Sequence, residues 1–156
     1  MSAISNAAST AAHWELEIYR TFCSPEEETA CKVAKVLFVA CVGSRQNLVG
    51  FAAFQAILAT GECGLENMAV TEEWRRSGIG GRLLSSGLLW CRGWRPAAQW
   101  DSGQDENVWL EVRPSNRAAV HLYLKAGFIE AGRRSGYYSH PIEDALLMRR
   151  NISLLA

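Results

Sequence analysis

A chain of 156 residues, 49% apolar and 21% charged with only 4 Pro, is the right length for one domain and too apolar for a disordered segment. Its 16 Lys+Arg cancel its 16 Asp+Glu, but residues 1–74 hold 4 cations against 9 anions and residues 75–156 hold 12 against 7, so an anionic ligand is expected in the second half. The longest apolar run, Val36 to Val42, is far below the ~18 residues of a membrane span, and no basic start leads into a signal core, so a cytoplasmic protein with no membrane partner is expected.

The Ser/Ala-rich start, Ser2 to Ala12, is expected to fray over residues 1–10. From His13 to Cys23, Trp14, Ile18 and Phe22 recur at helical spacing until Ser24-Pro25 interrupts them. Pro25 followed by Glu26, Glu27 and Glu28 resembles the first turn of a second short helix, because acids favour the positive end of the helix dipole. Val36 to Val42 reads as a strand buried on both faces; Gly43 to Asn47 is turn chemistry, and Leu48 to Leu58 completes a hairpin. After the turn Gly61–Gly64, Leu65 to Val70 is a third strand, and Ile79 to Cys91 carries apolar residues at 79, 83, 84, 88 and 91, one helical face.

Residues 93–105 mix Pro, Gly, Gln, Asp and Ser around Trp94 and Trp100 and predict a long loop, its tryptophans serving local packing or a partner contact. Val108 to Arg113 is a fourth strand. Ser115 and Asn116 can cap a helix from Arg117 to Ala126, which Gly127 ends. Phe128 to Gly132 and Asp144 to Met148 close the chain as two strands. This order predicts one mixed α/β domain over residues 1–156.

The junction Arg75-Arg76-Ser77-Gly78-Ile79-Gly80-Gly81 joins the third strand to the glycine-rich start of a helix. The first amides of a helix lack internal partners and sit at its positive end, so they can hold a pyrophosphate where no side chain blocks the approach. A plain turn is the alternative. A dinucleotide GxGxxG would need glycine where Leu83 stands, and the Gly-Lys-Ser/Thr end of a P-loop is absent.

RxxGxG, as Arg75, Gly78 and Gly80 after Glu66-Asn67-Met68-Ala69-Val70, resembles the acetyl-CoA motif of the Gcn5-related N-acetyltransferases (GNAT). Trp109-Leu110-Glu111-Val112-Arg113-Pro114-Ser115-Asn116, then Ala118 to Tyr123 and Gly127-Phe128, is similar to the ribosomal-protein-alanine (RimI-type) members, as is Arg133 to Tyr138 before Glu143-Asp144-Ala145. The resemblance covers about residues 10–150. It implies the GNAT fold, a central mixed, mainly antiparallel sheet flanked by helices, and acetyl-CoA as co-substrate. It also implies a strand ahead of the first helix, for which this chain starts too late; that strand is expected to be missing or displaced.

By the same resemblance, Met68, Ala69 and Val70 hold the acetyl and pantetheine arm. Arg75 and the amides of Arg76, Ser77, Gly78, Ile79, Gly80 and Gly81 hold the pyrophosphate, and Asn116 touches the cofactor. Glu111 matches the family's general base and Tyr123 its general acid. The implied acceptor is a protein N-terminus, that of a ribosomal protein by the RimI-type resemblance, with a monomer or weak dimer expected; a small amine, another protein, or acetyl-CoA binding without turnover are the alternatives.

The chemistry suits those residues. Strand alternation puts Trp109, Glu111 and Arg113 on one face, so Glu111 either serves a cleft or pairs with Arg113 as a surface residue. Asn116 and Tyr123 lie two helical turns apart on one face, and Tyr123 either delivers a proton from that face or packs in the core. An α-amine of pKa ~7.7–8.0 costs only ~1 kcal/mol to deprotonate at pH 7, against ~4.6 kcal/mol for Lys. Tyr137 and Tyr138, on the hairpin between the last strands, either shape the acceptor groove or pack. His121 reads as a surface or structural residue and Cys91 as core. Five cysteines without a CxxC pair, and no clustered histidines, suggest neither a disulfide framework nor a metal site. Without a sustained basic run, direct nucleic-acid binding is not expected.

Overall fold

The computed structural model of the protein describes residues 33–57, 60–93 and 106–153. The helices expected at His13–Cys23 and Pro25–Glu28, the fraying start and the loop tryptophans Trp94 and Trp100 lie outside the described residues. The elements in order are β1 (Val33–Val42), β2 (Asn47–Ile57), β3 (Glu62–Val70), a single 3-10 turn at Glu72–Trp74 and α1 (Ile79–Gly93). They continue with β4 (Asn107–Val112), α2 (Arg117–Lys125), β5 (Ile129–Ser139) and β6 (Ile142–Asn151). The strands form one sheet in the order β1-β2-β3-β4-β6-β5, and only β3 and β4 run parallel.

The β1–β2 hairpin turns where Gly43 adopts φ +72° and Gln46 donates its amide to the Gly43 carbonyl at 3.1 Å. Which strand is buried on both faces differs from the sequence expectation. β1 is only half covered, with Val39 48% exposed, whereas Val49 to Phe54 of β2 are all buried. The reason is position: β2 is flanked by a strand on each side, and β1 ends the row of described strands.

One face of the sheet carries Phe54, Leu65, Val108 and Leu110, and α1 packs there through Leu83, Leu84, Gly87, Leu88 and Cys91. These side chains form the core, each fully buried leucine contributing about 1.5–3 kcal/mol relative to exposure. α2 ends in a Schellman arrangement. Gly127 at φ +84° donates to the Leu124 carbonyl, Phe128 donates to the Tyr123 carbonyl, and the Tyr123 and Phe128 rings meet at 5.9 Å.

The last two strands are far longer than their apolar patterns predict, β5 running to Ser139 and β6 from Ile142 to Asn151. β5 is the outer strand and is solvated along nearly all of its length, so Arg133 to Ser139 has no reason to alternate apolar with polar. Tyr137 and Tyr138 therefore lie within β5 rather than in a connecting turn.

The sheet opens at its middle. The β3–β4 ladder comprises Cys63–Val108, Gly64–Trp109 and Leu65–Leu110 and then stops, although β3 continues to Val70 and β4 to Val112. At the same point Ala53 faces Asn67 while Phe54 faces Leu65, so Glu66 is an extra residue, a bulge in β3. Bulges bend and re-aim a strand; this one sits where β3 parts from β4.

Candidate functional site

A cleft of about 590 Å³ occupies this parting. β3 supplies Glu66, Asn67 and Met68 to its wall, β4 supplies Glu111, α2 supplies Asn116 and Tyr123, and β5 supplies Arg134, Tyr137 and Tyr138. Of the residues singled out from sequence, Met68, Glu111, Asn116, Tyr123, Tyr137 and Tyr138 thus converge on one cavity. Ala69, Val70 and Arg75 to Gly81 are not part of its lining. They join it from outside: Arg75 Nε donates to the Val70 carbonyl at 3.3 Å, and Gly80 approaches Leu122 of α2.

The glycine turn has three different glycines. Gly78, at φ +86° with nothing within 4 Å of a built Cβ, is open, and its carbonyl accepts the Arg82 amide as α1 begins. A Cβ on Gly80 would meet Leu122 at 3.3 Å, so this glycine makes room for α2 rather than for a ligand. Gly81 is looser, at 4.0 Å from Leu122. Arg76 holds φ +60° without being glycine, and Ser77 Oγ donates to the Trp74 carbonyl at 2.6 Å. The open amides at the start of α1, with Arg75, Arg76 and Arg82 exposed around them, suit an extended phosphate group.

Glu111 faces the cleft while Val108, Leu110 and Val112 face the core, as alternation requires. Its cation is Arg134 of β5, not Arg113. Arg134 Nη1 reaches over β6 to Glu111 Oε1 at 3.0 Å. The Tyr137 hydroxyl hydrogen-bonds the same carboxylate, which pushes the phenol's pKa up to about 12, with burial adding to the shift.

Arg113 instead donates to Glu143 at 3.4 Å and to the His140 and Pro141 carbonyls at 3.2 Å, and lies 3.9 Å over the Tyr138 ring. Glu143 accepts from the Ser115 amide and hydroxyl at 2.7 and 2.8 Å, which hold its carboxyl below the usual range. This clamp ties the β5–β6 turn to the end of β4 and sets Tyr138 edge-on against Tyr137, ring centres 5.0 Å apart.

Tyr123 is 7% exposed and packs on Phe128, yet it also lines the cleft, so a core position and a place on the cleft wall go together. Burial drives its phenol well above the ordinary value, and it stays protonated at neutral pH. Asn116 caps α2, its Oδ1 accepting from the Ala119 amide at 3.2 Å, which commits one end of the side chain to the fold. His121 is exposed. Cys91 is 1% exposed; its contact with the Cys63 thiol, then burial, push it far from the thiolate form.

Sequence reasoning missed Arg134 and Glu66 as members of the site. Arg134 meets Glu111 across an intervening strand, which no local pattern announces. Glu66 was visible as an acid beside apolar neighbours in β3, but the bulge that turns it into the cleft has no signature in the sequence. Among the described residues no three His, Cys, Asp or Glu side chains gather as a metal site, and no helix is long and apolar enough to cross a membrane.

The chain is similar to known proteins in sequence and in fold. The chain is 36% identical over 109 residues to ribosomal protein bS18-alanine N-acetyltransferase of Salmonella typhimurium, covering 69% of this chain and 66% of that protein. It is 40% identical over 82 residues to an N-alpha-acetyltransferase of Sulfurisphaera tokodaii, covering 53% and 44%. The chain thus spans about two thirds, or less, of the length of these curated relatives. The crystal structure of the ribosomal-protein-S18-alanine N-acetyltransferase from Escherichia coli superposes with a TM-score of 0.71 at 27% identity, over 99% of this chain and 87% of that one. The sequence model described as the acetyltransferase (GNAT) family matches residues 6–128, which take in the bulged strand, the glycine turn, Glu111 and Tyr123; the chain belongs to that family.

Proposed function

We propose that the protein transfers the acetyl group of acetyl-CoA to the N-terminal α-amine of a protein chain, a ribosomal protein being the acceptor class its relatives' names point to. The observation that carries this reading is that Glu111 and Tyr123 open into one cleft where β3 parts from β4. Acetyl-CoA supplies an activated thioester. The free edge of β3 at Met68 to Val70 offers main-chain groups to its pantetheine arm, and the amides from Arg76 to Gly81 offer donors to its diphosphate.

The acceptor reaches the cleft past Tyr137 and Tyr138. Its neutral nitrogen forms the new bond to the acetyl carbon as the carbon–sulfur bond breaks. Glu111 takes the proton that leaves the nitrogen, directly or through a water, and Tyr123 gives its proton to the departing sulfur. No covalent bond to the protein is needed.

Incubation with acetyl-CoA and peptides beginning with Ala, Ser, Met or Lys, alongside polyamines, should yield a peptide acetylated at its α-amine by mass spectrometry. Acetylation of polyamines alone, or of nothing, overturns the acceptor assignment. Tyr123→Phe should lower kcat by about tenfold or more with acetyl-CoA affinity within twofold. It should melt no lower than wild type, because the hydroxyl makes no hydrogen bond among the described residues.

Gly78→Ala separates the glycine turn from the chemistry. An L-residue at φ +86° costs about 1–2 kcal/mol even where space is open. Strain that re-aims the first amides should raise the acetyl-CoA dissociation constant by about fivefold or more in calorimetry and leave kcat at saturation within twofold.

A further inference from the structure

Glu66 is a second carboxylate in the cleft, unused by the chemistry above. It is the bulged residue of β3, next in line after the last β3–β4 pair, as Glu111 is on β4. The two acids therefore stand on either side of the apex of the cleft. A Cβ on Gly64 would come within 3.0 Å of Glu66 Oε1, so the carboxylate lies over the bare backbone of that glycine. Gln55 of β2 hydrogen-bonds it from the same side.

Although solvent reaches Glu66, the walls are close enough that desolvation first, then Glu111, raise its pKa above the usual carboxylate value. The charged and titratable groups around it are Glu62 on β3 itself, Lys35 on β1, Glu111 on β4 and Arg113 just past its end, Tyr123 on α2, and Arg134, Tyr137 and Tyr138 on β5. Arg134 is engaged by Glu111 at 3.0 Å, and the influence of Lys35 is the weakest of those acting on Glu66.

The fold destabilises this negative charge. A carboxylate whose folded pKa is raised loses stability as pH climbs from the unfolded value through the folded one, and carries that penalty at neutral pH. A group held at such a cost beside a reacting centre is explained by an incoming cation. An α-amine is about nine-tenths ammonium at pH 7, so the acceptor arrives bearing one.

We propose that Glu66 binds the ammonium group of the acceptor at the apex of the cleft and holds it beside Glu111 until it releases one proton to solvent, leaving the neutral amine whose next proton passes to Glu111 on attack. This rests on the acetyl-transfer reading for the identity of the acceptor. Glu66 does not itself accept the proton; it positions the nitrogen by charge.

The test compares wild type with Glu66→Gln on an Ala-led acceptor peptide at about pH 7 and about pH 9.5, where the amine is respectively cationic and neutral. Tyr123 and Tyr137 remain protonated at both values, their pKa being raised, the latter to about 12. The acceptor KM of Glu66→Gln should rise about tenfold at the lower pH and less than twofold at the higher, with kcat and acetyl-CoA affinity within twofold. The variant should melt at or above the wild-type temperature.

An equal KM change at both pH values overturns the proposal, and so does a loss of kcat with KM unmoved, which would make Glu66 the proton acceptor. Calorimetric binding of the same peptide to enzyme saturated with coenzyme A repeats the comparison without turnover. If wild type acetylates no peptide, the acetyl-transfer reading fails, while the pH dependence of binding still decides the role of Glu66. If wild type is active and Glu66→Gln binds peptide as it does at both pH values, only the ammonium role falls.

Discussion

Glu111→Gln should reduce kcat by about a hundredfold or more, with acetyl-CoA affinity unchanged within twofold, in steady-state assays paired with calorimetry. A positioned general base contributes about 10²–10⁴-fold, and a Gln amide keeps the size of the side chain while losing the charge and the basicity needed to take the proton. The surroundings are arranged to keep this carboxylate in place. Arg134 meets it at 3.0 Å, and Tyr137 hydrogen-bonds it from the same strand. The loss should shrink as pH rises, because hydroxide and buffer bases then remove the proton in place of the side chain. A variant with full activity at pH 7 would take the base role from Glu111. A variant that instead lost acetyl-CoA affinity would assign the residue to the cofactor.

Much of the site was legible because its parts are local. The strands and helices that carry it were legible from period two and period 3.6, and RxxGxG, Glu111 and Tyr123 were singled out on them by resemblance to a known family's motifs. The helix cap at Asn116 and the glycine end at Gly127 were legible because they too are local, each being chemistry of one helix terminus. What escaped was contact between distant segments. Arg134 and Glu111 are brought together over β6, and the Arg113–Glu143–Ser115 clamp joins the β4–α2 connection to β6 across some 30 residues of sequence.

The outer strand β5 escaped for a different reason. Solvent on both sides removes the alternation that hydrophobic burial imposes, so the strand reading stopped at Gly132 and left Arg133 to Ser139 to the hairpin between the last strands. The bulge at Glu66 escaped because one extra residue changes register without changing composition. The glycines teach a related point. Gly78, Gly80 and Gly81 looked equivalent in sequence, yet only Gly78 has the left-handed backbone and open surroundings of a ligand turn.

Gly87, which drew no attention in the sequence, carries the largest structural prediction. Gly87→Ala should lower the melting temperature by roughly 5–10 °C, the shift for about 2–3 kcal/mol in a chain of this length. In an open helix the same change gains about 1 kcal/mol of helix propensity. Here a Cβ would fall among the Cδ2, Cε2 and Cζ atoms of Phe54, a ring that is 0% exposed. The ring has no free direction to yield, since it also packs edge-on against Phe38 at 6.3 Å. A Cβ meeting three atoms of one immovable ring belongs above the usual ~1–3 kcal/mol of overpacking, at about 3–4 kcal/mol, and so outweighs the propensity gain by about 2–3 kcal/mol. Phe54→Leu alone should destabilise, but combined with Gly87→Ala it should recover part of the loss, a coupling expected only of residues in direct contact. Thermal melts of the two single variants and the double variant decide it: additive losses, or a Gly87→Ala protein as stable as wild type, would mean that α1 does not lie on β2 this closely. Because Phe54 faces α1 while Gln55 beside it faces the cleft, Gly87→Ala should keep kcat within about twofold below its melting temperature, which separates loss of packing from loss of chemistry.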